Sequence, residues 1–176
     1  MGTDVAEVVE LSPVELLGRR AQLVELLADA IDGGASVNYL LPFRREDLDA
    51  YWKGVAADAG NQARRVLAII EGDRVMASVQ LVPCRKPNQP HRADVEKLLV
   101  HSTYRQRGAG TALMNALERS ARASGRWLLT LDTRTGSAAD VLYPRWGWHS
   151  VGQIPDYALD PDGTPAACTL YWKRLA

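Results

Sequence analysis

An apolar stretch at 95–100 runs into Arg105, Gln106, Arg107, Gly108, Ala109 and Gly110, and an amphipathic helical pattern opens at Thr111. The first turn of a helix leaves four backbone N–H groups without intrahelical acceptors and carries about half a positive charge. Glycines there let the main chain close on an anion that a side chain would hold off. Arg105 and Arg107 add cationic charge beside that cradle, a combination suited to a diphosphate. The chemistry expected is therefore the holding of a phosphorylated cofactor. A P-loop is excluded, because that motif needs lysine and then serine or threonine after its last glycine. Here Gly110 is followed by Thr111 and Ala112.

The chain has 176 residues, read as a single domain over 1–176 that buries about 70% of its unfolded surface. Of these residues 47% are hydrophobic and 24% charged, with a formal net charge of zero. That balance describes a globular protein without the broad basic face that nucleic acid requires. A local basic pocket stays compatible with it. No apolar run approaches the ~18 residues of a membrane helix, and the acidic start Met1-Gly2-Thr3-Asp4 lacks a secretion-signal profile. A cytoplasmic protein with neither membrane nor nucleic-acid partner is expected. Cys84 and Cys168 stand apart without metal spacing and read as reduced thiols, and the three histidines are scattered. No metal site is expected.

Periodicity outlines the elements that must position the loop. A strand is predicted over 5–11, and Ser12-Pro13-Val14-Glu15 forms a capping box with proline at the first helical position. One helix then carries Leu16, Leu23, Leu27 and Ile31 as far as Gly33 and Gly34. A second helix over 45–59 places Leu48, Tyr51, Trp52 and Val55 on its apolar side and stops near Gly60. Strands at 65–70 and 74–82 flank the hairpin signal Glu71-Gly72-Asp73. Pro83, Pro87 and Pro90 make 83–92 a loop. The strand at 95–100, the glycine turn, a helix over 111–124 and a strand at 127–132 form a β–turn–α–β unit. A short helix over 136–146 and strands at 149–154 and 167–174 complete the chain. Trp52, Trp127, Trp146 and Trp172 are read as core or helix-on-sheet packing. The fold class expected is α/β, a mixed sheet of about six to seven strands with about four helices on its two faces.

This order and these motifs resemble the GNAT superfamily of N-acetyltransferases over essentially the whole chain. The family's pyrophosphate motif, Arg/Gln-x-x-Gly-x-Gly/Ala, is met by Arg105, Gly108 and Gly110, and its Tyr-x-x-x-Gly-aromatic mark by Tyr143, Gly147 and Trp148. Segments beginning at Gly33, Arg85, Leu131 and Gly136, with the tail at 155–163, are similar to members that detoxify a β-lactam amino acid. Two positions depart from the pattern. His101 stands where the family often has proline, and Pro144 directly follows Tyr143, where proline is able to break the helix early and re-aim the tyrosine.

The resemblance implies acetyl-CoA as cofactor and a small-molecule primary amine as acceptor, with a homodimer among the expected partners. It implies that the main chain of Leu98, Leu99 and Val100 pairs with the pantetheine arm and offers an oxyanion donor. The amides of Arg105, Gln106, Arg107, Gly108, Ala109, Gly110 and Thr111 would hold the diphosphate. Asp94, at the start of the central strand, and Asp132, at the end of the next parallel strand, are the candidate bases, with Glu96 in reserve on the face of Asp94. Tyr143 is the implied general acid. The acceptor pocket is expected across the sheet from the cofactor, walled by loops 33–43 and 83–92 and the last hairpin. Tyr39, Arg85, Lys86 and Tyr157 are its candidate contacts. Two other readings stay open: a non-catalytic acyl-CoA-binding sensor, and a protein or peptide acetyltransferase.

Overall fold

In the computed structural model, which describes residues 7–176, the capping box forms as the sequence suggests. Ser12 accepts from the Glu15 amide, and the Glu15 carboxylate accepts from the Ser12 amide at 2.8 Å. The elements run β1 (Val8–Glu10), α1 (Pro13–Gly18), α2 (Arg20–Asp32), α3 (Arg45–Gly60), β2 (Arg65–Glu71), β3 (Arg74–Pro83) and β4 (Arg92–Val100). They continue through α4 (Ala109–Ala123), β5 (Leu128–Arg134), α5 (Ala138–Arg145), β6 (His149–Leu159) and β7 (Pro165–Arg174). The predicted strand over 5–11 is thus β1 where it is described, its first two positions lying outside the described residues. The single helix predicted after Ser12 is two. Gly18 is a weak helix former, and Arg19 leaves helical geometry at φ −96°, ψ 9°, its guanidinium bonded to the Asp73 carbonyl and carboxylate.

The sheet has seven strands in the order β1-β2-β3-β4-β5-β7-β6, antiparallel throughout except for the parallel pair β4–β5. Helices α1, α2 and α3 cover one face through Leu23, Leu27, Ile31, Leu48 and Trp52. Helices α4 and α5 cover the other through Leu113, Leu117 and Tyr143. The core under α1–α3 takes sheet residues from β2, β3 and β4 and none from β5, β6 or β7. That half of the face is left open. Two tryptophans are not packed as expected: Trp172, on that face of β7, is 37% exposed and tilted against His149 at 4.7 Å, and Trp127, just ahead of β5, is 41% exposed and stacked on His91 at 4.3 Å.

Two irregularities in β4 shape the site. Ser78 pairs with Leu99 but Gln80 pairs with Glu96, so two residues of β4 oppose Val79 and Lys97 takes φ 51°. This β-bulge inverts the alternation: Ala93 and Val95 join the α4 core, whereas Leu99 joins the α1–α3 core. In addition, β4 pairs with β5 only from Arg92–Leu128 to Asp94–Thr130, although both strands run on. Beyond Asp94 the two strands diverge and leave a split in the sheet.

Candidate active site

Past the end of β4, Asp29 on α2 fixes the turn that leads to the glycine loop. Its carboxylate accepts from the Ser102 amide at 2.8 Å and hydroxyl at 2.6 Å, with His101 and Arg105 nitrogens each at 3.8 Å. His101 acts as a cap here, its Nδ1 accepting from the Thr103 amide at 3.3 Å. Gln106 (φ 63°) and Gly108 (φ 78°) carry the chain into α4 through left-handed conformations. A Cβ at Gly108 would meet nothing within 4 Å, so glycine is required there by the backbone angle. Gly110 has a different reason: its Cβ would lie 3.3 Å from the Trp146 ring, so this glycine seats α5 against α4. The two glycines thus have structural reasons of their own beside the cradle expected of them. The amides of Gly108, Ala109, Gly110 and Thr111 are the orphan donors of the helix start. Arg107 stands beside them, its guanidinium 4.9 Å from the Tyr104 ring and 3.7 Å from Glu71. Arg105 is instead committed to Asp29 and to the Val100 carbonyl at 3.2 Å.

The split lies directly before this loop. His101 donates its amide to Met76 on β3, so by alternation the amides of Leu98 and Val100 turn away from β3 toward the split, and that of Leu99 does not. The split is a cleft of about 390 Å³ whose lining includes Asp94, Glu96, Thr130, Asp132, Val151 and Leu170. Leu129 and Leu131 point into the α4 core, so Thr130 and Asp132 face the opposite side, as do Asp94 and Glu96. Tyr143 approaches from the α4 side. The candidate proton-handling groups therefore flank the split from opposite faces.

Their surroundings differ. Asp94 accepts from Arg92 and Thr130, and Glu96 is paired with Arg64 at 2.8 Å. Asp132 has no side-chain partner among the described residues. Although the cleft leaves it open to water, desolvation by the surrounding protein raises its carboxyl above the ordinary aspartate value, Glu96 adds to this, and Lys97 opposes it. Burial raises Tyr143 above the ordinary tyrosine value, with Asp132 and Tyr171 acting in the same direction. Its ring is 5.4 Å from Tyr171, 5.7 Å from Trp148 and 5.8 Å from Trp146.

Pro144 does not break the helix early. Helix α5 continues to Arg145. The amide that proline lacks would have bonded the Asp140 carbonyl, and the Tyr171 hydroxyl sits 3.2 Å from that oxygen while donating to the Asp140 carboxylate at 2.8 Å. Gly147 (φ 77°) then turns the chain so that the amides of Trp146 and Trp148 both return to the Tyr143 carbonyl at 3.0 Å.

On the open face, Tyr39 packs edge-on against Tyr51 at 6.4 Å, and Tyr51 donates to Gln80 at 3.0 Å. Loop 33–43 meets the last hairpin, where the Leu41 amide donates to the Pro161 carbonyl at 2.7 Å and the Ser36 hydroxyl to the Leu159 carbonyl at 3.4 Å. Tyr157 is exposed on β6 of that hairpin. Loop 83–92 behaves otherwise. Arg85 donates to the Asn61 carbonyl at 3.0 Å and Lys86 is exposed, both at the end where β4 and β5 still pair. The structure thus sets Tyr39 against Tyr51 on the α1–α3 side of the sheet, and Tyr39, Arg85, Lys86 and Tyr157 are all outside the lining of the cleft. Asp29, Tyr51, Arg64 and Lys97 were not singled out from the sequence. A signal existed for Lys97: Val95-Glu96-Lys97-Leu98-Leu99-Val100 breaks strict alternation at that residue, which marks a bulge.

The chain matches the acetyltransferase (GNAT) family model over residues 31–162. It is 35% identical over 153 residues to an uncharacterized N-acetyltransferase from the hisH-hisA intergenic region of Azospirillum brasilense, covering 78% of this chain and 89% of that one. Its fold is similar to an N-acetyltransferase of Staphylococcus aureus Mu50, at TM-score 0.79 and 15% identity over 97% of this chain and 98% of that one. It is similar also to yncA of Salmonella typhimurium, described as an acetyltransferase with its cofactor acetyl-CoA, at TM-score 0.77 and 16% identity over 97% and 94%. This chain belongs to the GNAT family of acetyltransferases. Among the described residues no group of three His, Cys, Asp or Glu side chains could hold a metal ion, and no helix is long and apolar enough to cross a membrane.

Proposed function

We propose that this protein transfers the acetyl group of acetyl-CoA to the primary amine of a small molecule, by direct attack with both partners bound. The observation that carries the reading is the split between β4 and β5, edged by outward amides of Leu98 and Val100 and leading into a left-handed glycine at the start of α4. These groups fit the cofactor: the amides of Gly108 to Thr111 with Arg107 suit its diphosphate, and the open edge of β4 suits its amide-bearing arm. When bound, acetyl-CoA supplies a thioester whose C–S bond is exchanged for a C–N bond to the amine. Asp132 takes the amine proton, directly or through a water, because it alone of the cleft carboxylates has no cation or hydroxyl occupying it. Asp94, held by Arg92 and Thr130, shapes the wall beside it. Tyr143 stays protonated throughout the neutral range and holds the proton for the sulfur position.

The similarity to tabtoxin resistance protein, noted in the segments at Gly33, Arg85, Leu131 and Gly136, supports a small amino acid-like or antibiotic acceptor. The bonds joining loop 33–43 to the last hairpin support it too, because they restrict the approach to the open face. A cytoplasmic setting and a homodimer belong to the same reading. The two departures that favoured a non-catalytic sensor, His101 and Pro144, are both accommodated by local hydrogen bonds. Calorimetric titration with acetyl-CoA, followed by thiol release with a panel of amines, tests the proposal. Saturable binding with release for at least one amine is expected; binding without any release would favour the sensor.

A further inference from the structure

Lys97 is set apart by its backbone and its lack of partners. At φ 51° it holds a conformation unfavourable to residues other than glycine, and the bulge it forms takes its side chain out of simple alternation. The ammonium lies 5.8 Å from the centroid of the Tyr51 ring, on the α1–α3 side of the sheet where Asp94, Glu96 and Asp132 also point. Among the described residues it has no ion pair or hydrogen bond. Glu96 is taken by Arg64, and Asp94 by Arg92 and Thr130. Asp132, likewise without a side-chain partner, lies on β5 two residues past the last β4–β5 pair, Asp94–Thr130, and so stands across the split from the Glu96–Lys97 stretch of β4. A half-buried cation against Tyr51 and a cleft-lining carboxylate thus stand on one side of the sheet without closing on each other. Semi-enclosed charges of this kind are held apart at a cost unless something dipolar fits between them.

We propose that the acceptor is a zwitterionic amine, with its carboxylate bound by Lys97 and its amine presented to Asp132. This assignment rests on the transferase reading above and adds the acceptor's second charge. The ammonium offers three donors to a carboxylate, and the ring of Tyr51, itself packed edge-on against Tyr39, stands beside it. An amine without an anionic group would leave Lys97 unpaired, and a second cation on the acceptor would be repelled.

The test uses a length series of ω-amino acids with three or more methylenes and their carboxamides, a spacing at which the amine pKa values of each pair differ little. Acceptor binding is read by calorimetry in the presence of coenzyme A, and turnover by thiol release from acetyl-CoA. The wild-type protein should favour the carboxylate of a matched pair by about 10- to 100-fold in kcat/KM. In Lys97→Met and Lys97→Gln that ratio should fall toward one, and Lys97→Arg should retain most of it. Coenzyme A titration of each variant reports an intact fold, and the wild-type ratio needs no variant. Turnover with a wild-type ratio at or below one, or a ratio unchanged in Lys97→Met, overturns the inference and leaves the transferase reading standing. Failure to bind coenzyme A, or to release thiol with any amine, overturns both.

Discussion

At Asp132, burial disfavours the carboxylate while the Lys97 cation favours it, and the balance leaves the pKa above the ordinary 3.8. In the proposed role of taking the amine proton, it works only when ionised. The acidic limb of kcat/KM should therefore lie above that value and move further up in Lys97→Met, as a pH–rate series would read. Asp132→Asn should lower kcat/KM by about 10²- to 10⁴-fold. The same substitution should raise the melting temperature near neutrality. A carboxyl whose folded pKa is raised stabilises the fold fully at low pH and loses that contribution as pH rises through the folded value. The melting difference between Asn and Asp should thus appear at neutral pH and shrink toward pH 3.8 and below. Tyr143→Phe should cost less than Asp132→Asn when the acceptor amine has a pKa near ~10.4. Freeing that amine at pH 7.4 costs about 4 kcal/mol, against about 1.5 kcal/mol for a thiolate of pKa ~8.5. Both residues were legible as a strand end and a motif tyrosine. Lys97 was legible only as a break in alternation, because the role proposed for it comes from a bulge that inverts which face each residue serves.

Among the elements, α5 depends on a substitution of one hydrogen-bond donor for another. Tyr171→Phe should destabilise the protein by about 1 kcal/mol, and by less in a Pro144→Ala background, where a main-chain amide returns to Asp140. A double-mutant cycle by denaturant unfolding measures the difference. At the α4–α5 contact, Gly110→Ala presses a methyl group 3.3 Å from the Trp146 ring. It should lower both stability and turnover, with Trp146→Phe restoring part of each. The sequence showed that α4 begins on glycines but not that the two serve different ends. Gly108 answers to its own backbone angle, a local property. Gly110 answers to a side chain 36 positions away. The division of the first helix escaped for a similar reason, since Arg19 is drawn out of register by Asp73 on a distant turn.

For the molecule as a whole, element order was readable because each strand and helix carries its own periodicity. The split and the open face were not, because both arise from where pairing and coverage stop. Trp172 illustrates this: it is the type of residue a core takes, but the α1–α3 core does not extend to β7 beneath it. Bound as proposed, across β4, the α4 start and β5, the cofactor would tie together elements from both cores. At 100 times its Kd, coenzyme A should stabilise the folded chain by about 2.7 kcal/mol, seen as a rise in melting temperature. The contact between Leu41 and Pro161 has a consequence for what can enter. It ties loop 33–43 to the hairpin of β6 and β7 by main chain, at one border of the uncovered half of the sheet. On the acceptor reading proposed above, a free small amine should therefore turn over faster than a lysine on a folded protein, as thiol release with each would show.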